Sequence, residues 1–490
     1  MDSMNKLSIS FLLFLLPGFW LPAQQPFYPA PYGALPDSNQ LRWHEMERYV
    51  LIHFTPTTFE NKEWGYGDAD PALFNPVAFD AGQIVNAAKE GGFKGVVLVA
   101  KHHDGFCLWP TATTPYNISK SPWKNGTGDM VREFEQATRK AGLEFGLYCS
   151  AWDRHDSDYG RYTYVTKYRE QLRELFSNYG PLFIAWFDGA NGGEGYYGGA
   201  RETRTIDRAA YYGWDTIWQM VRRMQPGAVI FSDVGDIRWV GNEAGHAAET
   251  SWATFTPEPL DGKTKAVPGE MKYWKSPEGT RNGKYWKPAE CDVPLRPGWF
   301  YHPGQDDQVK NAVSLFDLYL RSAGRGAGLD LGLSPDTTGR LAVKDVLALK
   351  AFGGLLDQTF ANDLALKAAL KASNTRNNHP QFGVENLIDH DRYSYWSTDD
   401  TVTRATVELF WKEPVTFRLI RLRENIRLGQ RIERIEMDVL NDEGWSFLTA
   451  TTSIGSNRLV LLPAAVTCRG LRIRIVQSPV CIALSEINIF

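Results

Sequence analysis

Phe183-Ile184-Ala185-Trp186-Phe187-Asp188-Gly189 is the segment from which the architecture can be read. It is an apolar run that stops on two aromatics, one carboxylate and a glycine. A strand covered on both faces reads as such a run. The Asp at its end places one negative charge at the C-terminal edge of the strand, where a (β/α)-barrel keeps its reactive groups. Burying that charge is costly unless chemistry requires it.

The same pattern repeats on either side. Residues 49–54 read as a strand that delivers His53, and 95–100 as a strand that runs into Lys101, His102 and His103. Residues 144–149 lead to Ser150 and Trp152, and 228–232 to Asp233. Helical patterns fall between and after them, at 80–91, 130–141, 164–179, 211–224, 308–322 and 343–356. Strand–helix alternation of this kind predicts a parallel sheet with helices outside it, an α/β (β/α)8-like barrel. After residue 360 the character changes to short alternating runs at 405–411, 417–423, 434–439, 458–462 and 471–476, which predict an antiparallel β-sandwich. The expected domains are a barrel over 24–362 and a sandwich over 363–490. Two insertions, 189–208 and 256–285, are expected to wall the barrel mouth.

Residues 1–23 carry Lys6, an apolar run over 7–16 and a small residue before Gln24, the pattern of a secretory signal peptide. The mature protein is therefore expected to be exported, periplasmic or extracellular, with no membrane span. The net charge of −4, without a basic block, argues against nucleic acid as a partner. The five cysteines are scattered and show no metal-ligand spacing; Cys468 and Cys481 are near enough in sequence to pair or to remain thiols. The chain holds 17 Trp, whose flat faces suit the apolar faces of sugars.

Carbohydrate chemistry requires a second carboxyl. Glu243, flanked by Gly241, Asn242, Ala244 and Gly245, is the first candidate, and Glu290 is its rival. The pair His102-His103 admits three roles: metal ligand, base or hydroxyl binder. No further His-x-x-x-His spacing supports a metal in the barrel, which leaves hydroxyl binding preferred.

At this point the motifs resemble a family. Leu51-Ile52-His53-Phe54, Glu63-Trp64, Lys101-His102-His103-Asp104-Gly105-Phe106, Trp186-Phe187-Asp188-Gly189 and the Gly324-Arg325-Gly326 to Ser334-Pro335-Asp336 segment are similar, in this order, to glycoside hydrolase family 29, the retaining α-L-fucosidases. The resemblance implies an irregular barrel with a trailing sandwich, and Asp188 as nucleophile. It implies that His53, Glu63, Trp64, His102, His103 and Trp186 hold fucose. Phe231-Ser232-Asp233 through Glu243-Ala244-Gly245, with Ala289-Glu290-Cys291-Asp292, resembles the branch acting on α-1,3/1,4-linked fucose. That implies Glu243 as acid/base and Glu290 as a binding residue. The reaction so implied needs no cofactor, and its partners are fucosylated oligosaccharides or glycoproteins. The methyl group of fucose calls for an apolar niche, for which Trp299 and Phe300 are the expected residues. The tail resembles a discoidin-like carbohydrate-binding module, in which Asn386, Asp389 and Asp400 could supply oxygens to a structural Ca²⁺ or form a turn network. Two other readings compete: a lectin-like protein that binds fucose without turnover, and a retaining glycosidase for another sugar.

Overall fold

The computed structural model describes residues 28–189, 196–197 and 202–490. The expected signal peptide and half of the 189–208 insertion lie outside them. Eight parallel strands form the first sheet: β1 (Arg48–Ile52), β2 (Gly95–Lys101), β3 (Glu144–Cys149), β4 (Ile184–Trp186), β5 (Val229–Phe231), β6 (Arg238–Trp239), β7 (Ala289–Pro294) and β8 (Gly328–Leu333). Their order is β5-β4-β3-β2-β1-β8-β7-β6. A parallel bridge between Phe231 and Ile237 brings the two ends together, so the sheet closes into a barrel. Only residues 232–237 separate β5 from β6, with no helix between them, which makes this the irregular step of the barrel.

Side-chain alternation sorts each strand. Tyr49, Leu51, Val97, Val99, Tyr148, Ile184, Trp186, Val229 and Phe231 fill the barrel interior. The intervening residues, such as Val50, Ile52, Val96, Leu98 and Phe145, pack under the helices. Helix α1 (Ser38–Met46) closes the N-terminal end by adding Trp43 and Met46 to the interior. Gly328 makes room for it, because a Cβ there would lie 2.5 Å from the Trp43 ring. The outer helices start where acidic caps predict. Asp80 accepts from Gln83 N at 2.9 Å ahead of α2 (Ala81–Glu90), and Asp129 accepts from Arg132 N at 2.9 Å ahead of α3 (Met130–Lys140). Such a cap contributes about 1 kcal/mol.

The second domain is the expected sandwich, built on strands longer than expected. β9 (Ala369–Ala372), β10 (Trp396–Ser397), β11 (Ala405–Glu424), β12 (Arg434–Asn441), β13 (Gly444–Thr451), β14 (Arg458–Gln477) and β15 (Ala483–Ile489) make one antiparallel set. The N-terminal part of β11 pairs with β9 and its C-terminal part with β15. One bent strand thereby serves both layers. Its pairing with β14 skips between Phe410 and Val415, across Pro414.

The sandwich is bolted to the barrel. Glu47, the residue before β1, accepts from Arg423 Nη2 at 2.9 Å and from Tyr319 Oη at 2.7 Å. Gln430 exchanges hydrogen bonds with Ser251 O and Ala253 N at 2.9 and 2.8 Å. All five cysteines are buried free thiols, so Cys468 and Cys481 do not pair. Among the described residues, no helix is long and apolar enough to cross a membrane.

Candidate active site

The C-terminal strand ends surround a cavity of about 360 Å³. β1 delivers His53 to it, the chain after β2 delivers His102 and His103, and β4 delivers Trp186 and Asp188. Glu243 joins from the loop after β6, and Trp64 and Trp299 from longer loops. The structure therefore gathers eight of the ten predicted site residues around one hollow.

Asp188 stands just past β4, its side chain 23% exposed and open to a ligand. Its Oδ2 accepts from the Tyr148 hydroxyl at 2.8 Å, and His103 Nε2 lies 3.5 Å from the same oxygen. Hydrogen bonds of this kind favour the ionised carboxylate a nucleophile needs. Glu243 sits at the rim. Partial burial raises its pKa, a hydrogen bond from the Trp299 side chain opposes that, and the charges of Asp188 and Glu63 raise it further. One cavity thus holds a carboxylate that is hydrogen-bonded yet open to a ligand, and a carboxyl biased toward keeping its proton. Glycoside hydrolysis uses this division of labour.

The three histidines form a cluster: His53 meets His102 edge-on at 5.3 Å, and His102 and His103 lie tilted at 4.2 Å between ring centroids. Burial and the charge of His103 hold His53 at about 3; burial and the charges of Arg154 and Lys101 hold His103 at about 3. Burial pushes His102 down as well. All three rings are neutral near pH 7, the form that can both donate to and accept from a hydroxyl. The neighbouring Asp104 braces the loop. Its carboxylate accepts from the Thr55 and Thr57 hydroxyls at 2.7 and 3.0 Å. Gly105, at φ +82°, is required there because a Cβ would lie 2.3 Å from Asp153 Oδ1.

These shifts predict a pH effect with a definite sign. A folded-state pKa below the unfolded value, for a histidine, contributes stability that is complete above about pH 6.5 and is lost as pH falls toward 3. Asp104 and Asp233, raised to about 6 by burial, act oppositely: their contribution is present at low pH and lost as pH rises through about 6. The readout is therefore a difference. His103→Gln is expected to gain about 1–2 kcal/mol relative to wild type between about pH 6.5 and 5, measured by urea unfolding at each pH. A difference that stays constant with pH contradicts the assignment of a neutral buried ring.

Trp64 stands edge-on to His103 at 5.4 Å and is 47% exposed. Trp299 leans over His53 at 5.1 Å, while Phe300 packs behind His53 and His102 without reaching the cavity. Gly332, at the end of β8, admits the Trp299 ring: a Cβ there would lie 2.6 Å from it. Glu63 does not line the sugar-sized hollow. It accepts from the backbone of Trp299 and Phe300 and lies 3.0 Å from His302 Nε2, so it fixes the loop that carries Trp299. Beyond Glu243, a second cleft of about 450 Å³ shares Trp64, Glu243 and Trp299 with the first and adds Glu63, His302 and Gln305.

The expectation that Glu290 contacts sugar directly is corrected. Glu290 is wholly buried one layer below the cavity, where it accepts from Trp186 Nε1 at 2.7 Å and from the Tyr49 hydroxyl. In the sandwich, Asp400 is ion-paired with Arg376 at 2.7 Å. Asn386 donates to Gln381 O and Tyr395 O, and Asp389 accepts from Asp391 N and Ser394 Oγ. These contacts are those of a turn network. Among the described residues, no group of three His, Cys, Asp or Glu side chains is placed to hold a metal.

Several cavity residues escaped the sequence reading: Tyr148, Trp239, Tyr273 and Asp292. Tyr148 carries a signal, since it shares the inward face of β3 with Gly146. Asp292 carries one too, as the next inward residue after Glu290.

A parallel barrel whose mouth holds two differently biased carboxyls among aromatics is the architecture of a glycoside hydrolase. The family model described as Alpha-L-fucosidase matches residues 32–359. The chain is 38% identical over 451 residues to alpha-L-fucosidase 1 of Arabidopsis thaliana, across 91% of this chain and 85% of that one. It matches the crystal structure of a glycoside hydrolase 29 family member from an unknown rumen bacterium at TM-score 0.82 and 36% identity, over 94% of this chain and 78% of that chain. A Ruminococcus gnavus GH29 fucosidase in complex with fucose matches at TM-score 0.83 and 28% identity, over 94% and 96%. The chain belongs to the α-L-fucosidase family, glycoside hydrolase family 29, and its activity is that of an α-L-fucosidase.

Proposed function

We propose that this chain releases L-fucose from α-1,3- and α-1,4-fucosylated oligosaccharides or glycoproteins by a retaining double displacement. The observation that carries the reading is the placement around one cavity of Asp188, which accepts from the Tyr148 hydroxyl, and Glu243, whose pKa burial raises. In the first step an Asp188 oxygen attacks the anomeric carbon, the glycosidic bond breaks, and Glu243 gives its proton to the departing oxygen. In the second, Glu243 takes a proton from water, the water oxygen bonds to the anomeric carbon, and Asp188 is released. The carboxyl separation that goes with retention is about 5–5.5 Å. Neutral His53, His102 and His103 bind the ring hydroxyls, and Trp299 receives the methyl group. The reaction requires no cofactor, and its setting is the exported one the leader implies.

The linkage preference draws support from the second cleft, which meets the sugar pocket at Glu243. The leaving sugar must sit where the acid can reach its oxygen, and this cleft has room for a substituted one. A panel of fucosides of defined linkage, with chromatographic detection of fucose, provides the test. Branched α-1,3 and α-1,4 substrates are expected to turn over about 10-fold faster or more than a terminal α-1,2 substrate, about 1.4 kcal/mol in the barrier. Equal rates, or a preference for α-1,2, contradict the linkage reading. Binding of fucose with no release from any member would favour the lectin-like alternative.

A further inference from the structure

Glu290 and Asp292 lie two positions apart on β7, so both side chains enter the barrel. Each accepts an indole N–H from a wall of the cavity: Trp186 Nε1 to Glu290 Oε1 and Trp239 Nε1 to Asp292 Oδ1, both at 2.7 Å. Trp186 lies flat against Phe231 at 4.1 Å and meets Tyr148 at 4.9 Å, and Tyr148 is the donor to Asp188. Trp239 meets Tyr273 at 5.5 Å.

Burial alone does not favour either carboxyl, although Glu290 also satisfies the Tyr49 hydroxyl. Glu290 is fully buried, and the charged neighbours that act on it most strongly are Asp330 and Asp292, so burial and like charge together push its pKa well above the carboxylate range. Asp292 is shifted the same way by burial and by Glu243 and Asp188. Acids buried among acids are destabilising, and an apolar residue of similar volume would serve the core better. What an apolar residue cannot do is accept an indole proton. An indole N–H facing an apolar side chain would lose both its hydrogen bond and its fixed angle.

We propose that Glu290 is a positioning residue of the fucosidase reaction: through the indole of Trp186, β7 sets the angle of an aromatic wall that flanks the sugar. Glu290 touches neither fucose nor the reacting atoms. Its effect passes through Trp186 to Tyr148 and Asp188. The inference rests on the cavity being the fucose site.

The test is a double-mutant cycle on the full chain with 4-nitrophenyl α-L-fucoside, read by KM, kcat and the tryptophan bands of near-UV circular dichroism. Glu290→Leu is expected to raise KM about 10-fold or more and to weaken those bands. Glu290→Gln keeps an acceptor oxygen and is expected to stay within about 3-fold of wild type. Trp186→Phe is expected to raise KM as Glu290→Leu does, and the double variant to be no worse than Trp186→Phe alone. The proposal is overturned if folded Glu290→Leu keeps wild-type KM and dichroism, if the Gln variant is as impaired as the Leu variant, or if the two effects multiply. Should Glu290→Leu not fold, Trp186→Phe decides: an unchanged KM overturns the proposal. Failure of the site itself shows separately, as an Asp188→Gly variant that still turns over.

Discussion

Asp188→Gly is expected to lower kcat by roughly 10⁴–10⁶-fold, the scale on which removal of a covalent nucleophile acts. Fucose binding should stay within about 10-fold of wild type, because the histidines, Trp64, Trp186 and Trp299 remain. The loss has one cause: no oxygen is left beside the Tyr148 hydroxyl to bond to the anomeric carbon. The space opened by the glycine admits a small anion. With sodium azide and an activated aryl α-L-fucoside, a single displacement should then give β-fucosyl azide, identified by its anomeric proton in NMR. An Asp188→Gly enzyme of near wild-type kcat would remove Asp188 from the mechanism.

Glu243→Ala is expected to fall by about 10²–10⁴-fold on natural glycans, the usual worth of general acid catalysis. On an activated aryl fucoside, whose leaving group needs no proton, the loss in the first step should be about 10-fold or less. Azide should restore turnover, attacking the glycosyl-enzyme and giving α-fucosyl azide, the opposite anomer from the Asp188 variant. The pH profile carries a further mark. The pKa of Glu243 is raised, and its acid form is the active one, so wild-type kcat/KM should fall as pH rises through that value. In Glu243→Ala that basic limb should vanish. Equal losses on natural and activated substrates, with no azide product, would assign the acid role elsewhere; among the described residues, Asp233 and Asp292 are the other carboxyls within the same cavity.

The legible part of the fold was the part built from apolar runs. β1 to β5 announce themselves because both of their faces are buried, and Asp188 is visible because it ends one of them. β6 to β8 did not read as strands for physical reasons that bear on function. β6 is two residues long, β7 carries Glu290 and Asp292 inward, and β8 carries Gly328 and Gly332 to make room for Trp43 and Trp299. Charge and glycine imitate a loop in sequence, and here they equip the site. In the sandwich, the expected strands 405–411 and 417–423 are one continuous strand, β11, and the chain stays extended through Pro414 there and through Pro463 in β14. Depth was the other hidden quantity. Glu290 and Asp292 look alike in sequence, but two residues along a strand amount to about 7 Å. That places one at the cavity and the other beneath it. Glu63 shows the same limit: its position beside Trp64 does not reveal that it also fixes the Trp299 loop and lines the adjoining cleft.

The mechanism stands or falls on whether the carboxylate of Asp188 becomes covalently joined to the sugar. Incubation with 2-deoxy-2-fluoro-α-L-fucosyl fluoride, followed by proteolysis and mass spectrometry, reads this out. The fluoride departs without help from the acid, and the 2-fluoro group slows breakdown of the ester. Time-dependent inactivation is expected, with one fluorofucosyl group on the peptide containing Asp188. A label on Glu243, Asp233 or Asp292, or turnover that proceeds with no adduct and inverts the anomeric centre, would contradict it.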